Sequence, residues 1–246
     1  MVILLFFMAF TVVSLYAMRT VKRTGRVPLR RLPGLDAIDE AIGRVTEMGQ
    51  PAAFVFGTGV LEGQQLAAFE LLRYTAEQTA KYDARLIVCN PLPELQPIAE
   101  EIVQSSYRTA GKADNYRPED VRYIASAALR AAVLGIFQRE RVAANFMFGN
   151  YYHEAIIFAE AGNAVGAIQI AGTANLHQLP FFVASCDYTL IGEEIFAAGA
   201  YLSGNSTQLG FLIGQEVGKA TAVVLIVLGT ILACANQSFL ANLLKK

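Results

Sequence analysis

Histidine and cysteine are scarce in this chain, two and three residues in 246. Cys89, Cys186 and Cys234 are odd in number, widely spaced and without a CxxC pair, which argues against a disulfide framework and against a zinc site. They read as small buried apolar residues of a reducing compartment. There is no GxSxG elbow, no GxxxxGK[ST] phosphate loop and no HExxH helix, so the enzyme classes built on those signatures drop out. Positive charge is also missing from the body of the chain: residues 32–244 hold 12 basic against 21 acidic side chains, a net of −9. Nucleic acid is disfavoured as a partner, because phosphate binding needs clustered Lys and Arg.

What is present begins at the two ends. Residues 1–18, MVILLFFMAFTVVSLYAM, carry no charged side chain and as a helix would span roughly 27 Å, the thickness of a bilayer core. The charges follow this stretch rather than precede it, which indicates an uncleaved anchor and not a signal peptide. Arg19, Lys22, Arg23, Arg26, Arg30 and Arg31 fall within 13 positions without an acid. By the positive-inside rule they place that flank at the cytoplasmic membrane surface, where they can also touch anionic headgroups. At the other end residues 220–244 are free of charge until Lys245. The expected organisation is a transmembrane helix at 1–18, a basic linker at 19–34, a cytosolic domain at 35–209, and a glycine-striped helix with a second transmembrane segment at 210–246. Within that last part Gly210, Gly214, Gly218 and Ala222 recur every four residues. They form a small-residue stripe where helices in lipid approach closely, and between copies such a stripe would be an oligomer contact.

Between the ends, helical periodicity alternates with short apolar runs, the pattern of a Rossmann-like α/β fold with a mostly parallel sheet. The spacing predicts helices at 35–48, 62–82, 93–109, 118–141, 151–161 and 191–201. Strands are predicted at 52–56, 85–90, 143–148, 167–171 and 180–186.

The strongest motif is Gly57-Thr58-Gly59 with Gly63, directly after the first strand, where backbone N–H groups could hold an anion. Its third glycine is one residue late for a dinucleotide fingerprint, and Glu62 would repel phosphate, so a tight structural turn is the competing reading. Asn150, His153, Thr173, His177 and Asp187 follow later strands, and carboxyl ends of strands line one crevice in such folds. No ligand pair has a metal spacing, no catalytic set assembles, and no cofactor is identifiable.

Residues 158–173, FAEAGNAVGAIQIAGT, together with GRVPLRRLPGLDAIDEAIGRV from Gly25, resemble an uncharacterised family of bacterial membrane proteins, a domain of unknown function. The resemblance covers most of the chain and implies a terminal membrane anchor with a cytosolic α/β domain. Weighed together, these readings favour a non-enzymatic assembly or scaffold component in the plasma membrane, either a homo-oligomer or a subunit of a larger complex. A membrane-tethered sensor of a nucleotide or small ligand is the alternative.

Overall fold

The computed structural model describes residues 8, 10–12, 15, 16, 18–20, 33–204 and 206–234. The chain divides into two compact units, Arg30–Ser203 and Met1–Leu29 with Gly204–Lys246. The larger unit runs α1 (Pro33–Met48), β1 (Ala52–Phe56), α2 (Gly63–Lys81), β2 (Leu86–Asn90), α3 (Gln96–Thr109), β3 (Val121–Tyr123), α4 (Ser126–Glu140), β4 (Ala144–Phe148), α5 (Glu154–Val165), β5 (Ile168–Thr173), α6 (Leu179–Ser185), β6 (Tyr188–Ile191) and α7 (Glu194–Ser203). Its six strands form one all-parallel sheet in the order β3-β2-β1-β4-β5-β6. Strand order reverses between β1 and β4, which pair from Ala52↔Ala144 to Phe56↔Phe148.

Alternation along the strands divides the core. Phe54, Phe56, Phe146 and Phe148 point to one side and are covered by α1, α2, α3 and α7. Ala53, Val55, Ile87 and Met147 point to the other and are covered by α4, α5 and α6. Helices on both faces leave β1 and β4 buried at every position, which is why these strands read as unbroken apolar runs. The aromatic rings of Phe54 and Phe148 pack 5.7 Å apart across the central strand pair, and each buried phenylalanine contributes about 1.5–3 kcal/mol.

Two expected elements differ. Residues 180–186 are not a strand: Leu179–Ser185 is a helix, with Pro180 in its first turn where a missing N–H costs nothing, and the sixth strand is Tyr188–Ile191. The helix expected from 118 begins later. Pro118–Asp120 is a single 3-10 turn, and Val121–Tyr123 pairs with Val88–Asn90 as an edge strand before α4 starts at Ser126. Buried Asp120 explains the interruption, because Arg85 at the head of β2 grips it through two hydrogen bonds of 2.8 and 2.6 Å. That grip pins the edge strand, and Glu140 takes a third guanidinium hydrogen bond at 2.9 Å. The three together push the Arg85 pKa above its already high ordinary value.

The second unit contains α8, Ser206–Cys234. Its stretch Thr207–Ile231 is long and apolar enough to cross a membrane and has only 6% of its apolar window buried. It is the one such helix among the described residues, so a membrane helix at each terminus is not seen. The anchor expected at 1–18 falls largely outside the described residues, as do Lys22, Arg23, Arg26, Arg30 and Arg31. Arg19 belongs to a short helical stretch.

Candidate functional site

In a doubly wound sheet the crevice for a ligand opens at the carboxyl ends of the strands, where strand order reverses. Here the turn after β1 and the turn after β4 meet at that point and close it. The Gly57 N–H donates to Phe148 O at 3.3 Å, and the Gly59 N–H donates to Asn150 O at 2.8 Å. The glycines serve this contact: a Cβ on Gly57 would lie 2.3 Å from the Asn150 carbonyl oxygen, and one on Gly59 would lie 2.5 Å from Asn150 Nδ2. Close backbone approach is therefore made to the protein's own chain rather than to a phosphate. The Gly57 and Gly59 amides are both engaged in this conformation.

Side chains complete the closure. Gln65 Nε2 donates to Gly57 O at 2.7 Å and to Gly59 O at 3.2 Å from a fully buried position in the first turn of α2. Thr58 Oγ1 donates to Glu154 Oε1 at 2.7 Å, and the Tyr152 N–H donates to Glu154 Oε2 at 3.0 Å, so a buried carboxylate binds the two turns together. Gln64 Oε1 accepts from Thr173 Oγ1 at 3.2 Å and from the Ala174 N–H at 2.7 Å, which draws in the turn after β5. Asn175 Nδ2 donates to Tyr151 O at 2.7 Å, and the His177 N–H donates to Asn175 Oδ1 at 3.1 Å. Gly63 lies on α2 facing α7, where a Cβ would come 3.2 Å from the Phe196 ring.

Of the residues expected to line a ligand crevice, Gly57, Thr58, Gly59, Asn150 and Thr173 do converge, as parts of this polar network. His153 and His177 are exposed on its rim. Asp187 is not there. Because residues 179–185 form a helix, Asp187 precedes β6 instead of following a strand, and its Oδ2 accepts from the Gln169 N–H at 2.7 Å near the start of β5, at the opposite end of the sheet. Glu154, which follows Asn150 and His153 in the sequence and is expected at the same strand end, carries the network together with Gln64 and Gln65, which the sequence did not single out. The only signal of the two glutamines is that they occupy the first turn of a helix that follows a glycine-bearing turn. No group of three or more potential metal ligands occurs among the described residues.

Neither Cys89 nor Cys186 offers a ready nucleophile. Burial pushes Cys89 and Cys186 each up to about 12, so both stay protonated near neutrality. A cavity of about 230 Å³ opens at the amino end of β2, lined by Arg85, Tyr107, Tyr116, Arg117 and Asp120, but its innermost charges already satisfy each other. The small-residue stripe packs within the chain: a Cβ on Gly210 would fall 2.8 Å from Met18 Cα, and one on Gly218 would be 3.3 Å from the Phe10 ring. Gly214 is buried and Ala222 exposed, so the contact fades along α8. The stripe thus has an intramolecular partner in the chain's own N-terminal helical residues, and it does not require a second copy.

The unusual surface lies elsewhere. α1 presents Asp36, Asp39, Glu40, Arg44 and Glu47 to solvent, the polar outer face expected of a surface helix. The helices of the other layer do not follow that rule. α4 exposes Ala127, Ala128 and Ala131 beside Arg130 and Arg139, and α5 exposes Ile156 and Ala164 beside Glu160 and Asn163. α6 exposes Pro180, Phe181, Val183 and Ala184 and has no charged residue at all. Val183 keeps 55% of its surface exposed and Leu176, just before α6, keeps 75%.

The chain belongs to the family described as Domain of unknown function (DUF6754), which matches residues 1–244. No curated protein and no solved structure matches it.

Proposed function

We propose that this member of the family is a membrane-anchored, non-enzymatic assembly subunit: α8 holds it in a bilayer, and the outer face of α4, α5 and α6 docks the α/β domain onto a protein partner. The observation that carries the reading is that outer face, where Ile156, Phe181, Val183 and Leu176 stand exposed among few charges and α6 has none. The apolar, exposed α8 supports the bilayer part, and the basic run from Arg19 to Arg31 supports a cytoplasmic position for the domain at the plasma membrane. The closed switch point favours docking over chemistry or ligand sensing, since the Gly57 and Gly59 amides, Thr58 and Glu154 are hydrogen-bonded between its turns.

Two measurements on the full chain test this reading. The protein should remain in the membrane fraction after an alkaline carbonate wash. Purified in mild detergent, its protein mass should exceed the 26.7 kDa of one chain. Val183→Asp should reduce that mass without changing the circular dichroism spectrum, because a charge covered by an apolar interface must be desolvated. A wild type that washes off the membrane, or that is a monomer in detergent, contradicts the reading.

A further inference from the structure

The face formed by α4 and α5 has a polarity of its own. Between these helices runs a shallow groove lined by Leu134, Gln138, Ile156, Ile157, Glu160 and Ala164. On the α4 side the charges are positive. Arg130 and Arg139 are exposed and make no ion pair among the described residues, whereas Glu140 is already taken by Arg85. Arg139 folds back along its own helix, so that a Cβ on Gly135 would lie 3.1 Å from its Nη1, which keeps the guanidinium on the exposed side of α4 next to the groove-lining row of Leu134 and Gln138. On the α5 side the one exposed charge is Glu160, which lines the groove and also makes no ion pair among the described residues.

A patch with unpaired cations on one ridge and an unpaired anion on the other complements its own image. A two-fold axis running along the groove places the same patch on both subunits and reverses the order of the ridges, setting α4 of one protomer against α5 of its partner. The area is of the right order: α4, α5 and α6 are roughly 22, 18 and 10 Å long and, spaced about 10 Å apart, give roughly 500 Å² in projection against the ~800 Å² of accessible surface per partner of a standard interface. Lipid is the poorer occupant, since hydrocarbon would leave Glu160 and Gln138 desolvated and unpaired.

We propose that the α4–α5 groove seats a second copy of this chain, across a two-fold axis, with Arg139 of each protomer meeting Glu160 of the other. This deepens the docking reading above and rests on it.

The test uses two single variants of the full chain in mild detergent, carrying different affinity tags and followed by native mass spectrometry. Glu160→Arg alone faces arginine with arginine twice, and Arg139→Glu alone faces acid with acid twice, so each should weaken the dimer about tenfold or more. Mixed one to one, they restore both pairs. The mixture should form heterodimers at close to wild-type strength while neither variant pairs well with itself. A mutation that merely damaged folding would not be rescued by mixing. If the mixture forms no more dimer than the separate variants, homotypic pairing is overturned. Should Val183→Asp and Ile156→Asp still reduce assembly in that case, docking on this face stands with a different partner, and should they leave it unchanged, both readings fall.

Discussion

The Gly59 amide donates to the carbonyl oxygen of Asn150 at 2.8 Å, joining the turn after β1 to the turn after β4 where a doubly wound sheet would otherwise open. Gly57 lies within the same contact, and a Cβ there would stand 2.3 Å from the same oxygen. Gly57→Ala should therefore destabilise the domain by about 1–3 kcal/mol through forced backbone displacement. Gly43 in α1 meets nothing within 4 Å, and Gly43→Ala should stabilise by about 0.5–1 kcal/mol through its helix preference. Chemical denaturation followed by circular dichroism measures both, and a neutral Gly57→Ala would show that the two turns are not locked together.

Nucleotide addition should leave the melting temperature unchanged, because the Gly57 and Gly59 amides are spent on Phe148 and Asn150 and Glu62 at the start of α2 repels phosphate. A millimolar series of adenine nucleotides and dinucleotides checks this by thermal shift. A stabilisation that disappears in Gly59→Val would mean that the turn opens to bind.

The thiols of buried Cys89 and half-buried Cys186 set a pH dependence. Burial holds Cys89 and Cys186 at about 12, against an ordinary value of 9.0 that the unfolded chain regains. The unfolded state therefore loses these protons first. The stability they confer is complete below about pH 9 and is lost as pH rises toward 12. In a Cys234→Ser background neither remaining thiol should react rapidly with a disulfide reagent at pH 8, and both should react in denaturant. Rapid labelling of Cys89 in the native protein would show that strand β2 is open.

Arg85 and Asp120 give a prediction about the sheet edge. Asp120→Ala leaves the guanidinium held only by Glu140 and releases the clamp on β3. Arg85 is about one third exposed, which softens the loss relative to a fully buried pair, and about 2 kcal/mol is expected. Hydrogen exchange should rise first in residues 121–123, and uniform exchange across the sheet would contradict the edge-pinning role.

Much of the larger unit was legible because its signals are local. β1 reads Ala52–Phe56 in sequence and in structure, since a central parallel strand is apolar on both faces and is closed off by Pro51 and Gly57. Residues 121–123 were hidden because Val-Arg-Tyr is too short to show alternation, and what makes it a strand is the distant Arg85. The helix at 179–185 was misread because Phe181, Phe182 and Val183 have strand character, while one side of α6 is left uncovered and so supplies no polar period. The same composition concealed the α4–α6 face, since apolar residues look alike in sequence whether a core or a partner covers them. The glycines at 57 and 59 marked the right place in the fold. Their purpose, contact with Asn150, depends on a residue more than ninety positions away.

Docking through the α4–α6 face is tested most directly inside the membrane. A photoreactive phenylalanine analogue would replace Val183 on α6 and, as a control, Glu47 on the charged face of α1, with irradiation of intact membranes containing the full chain. The account predicts a specific crosslinked band from position 183, at twice the chain mass if the partner is a second copy, and none from position 47. Crosslinks of equal yield from both positions, or from neither, would contradict it.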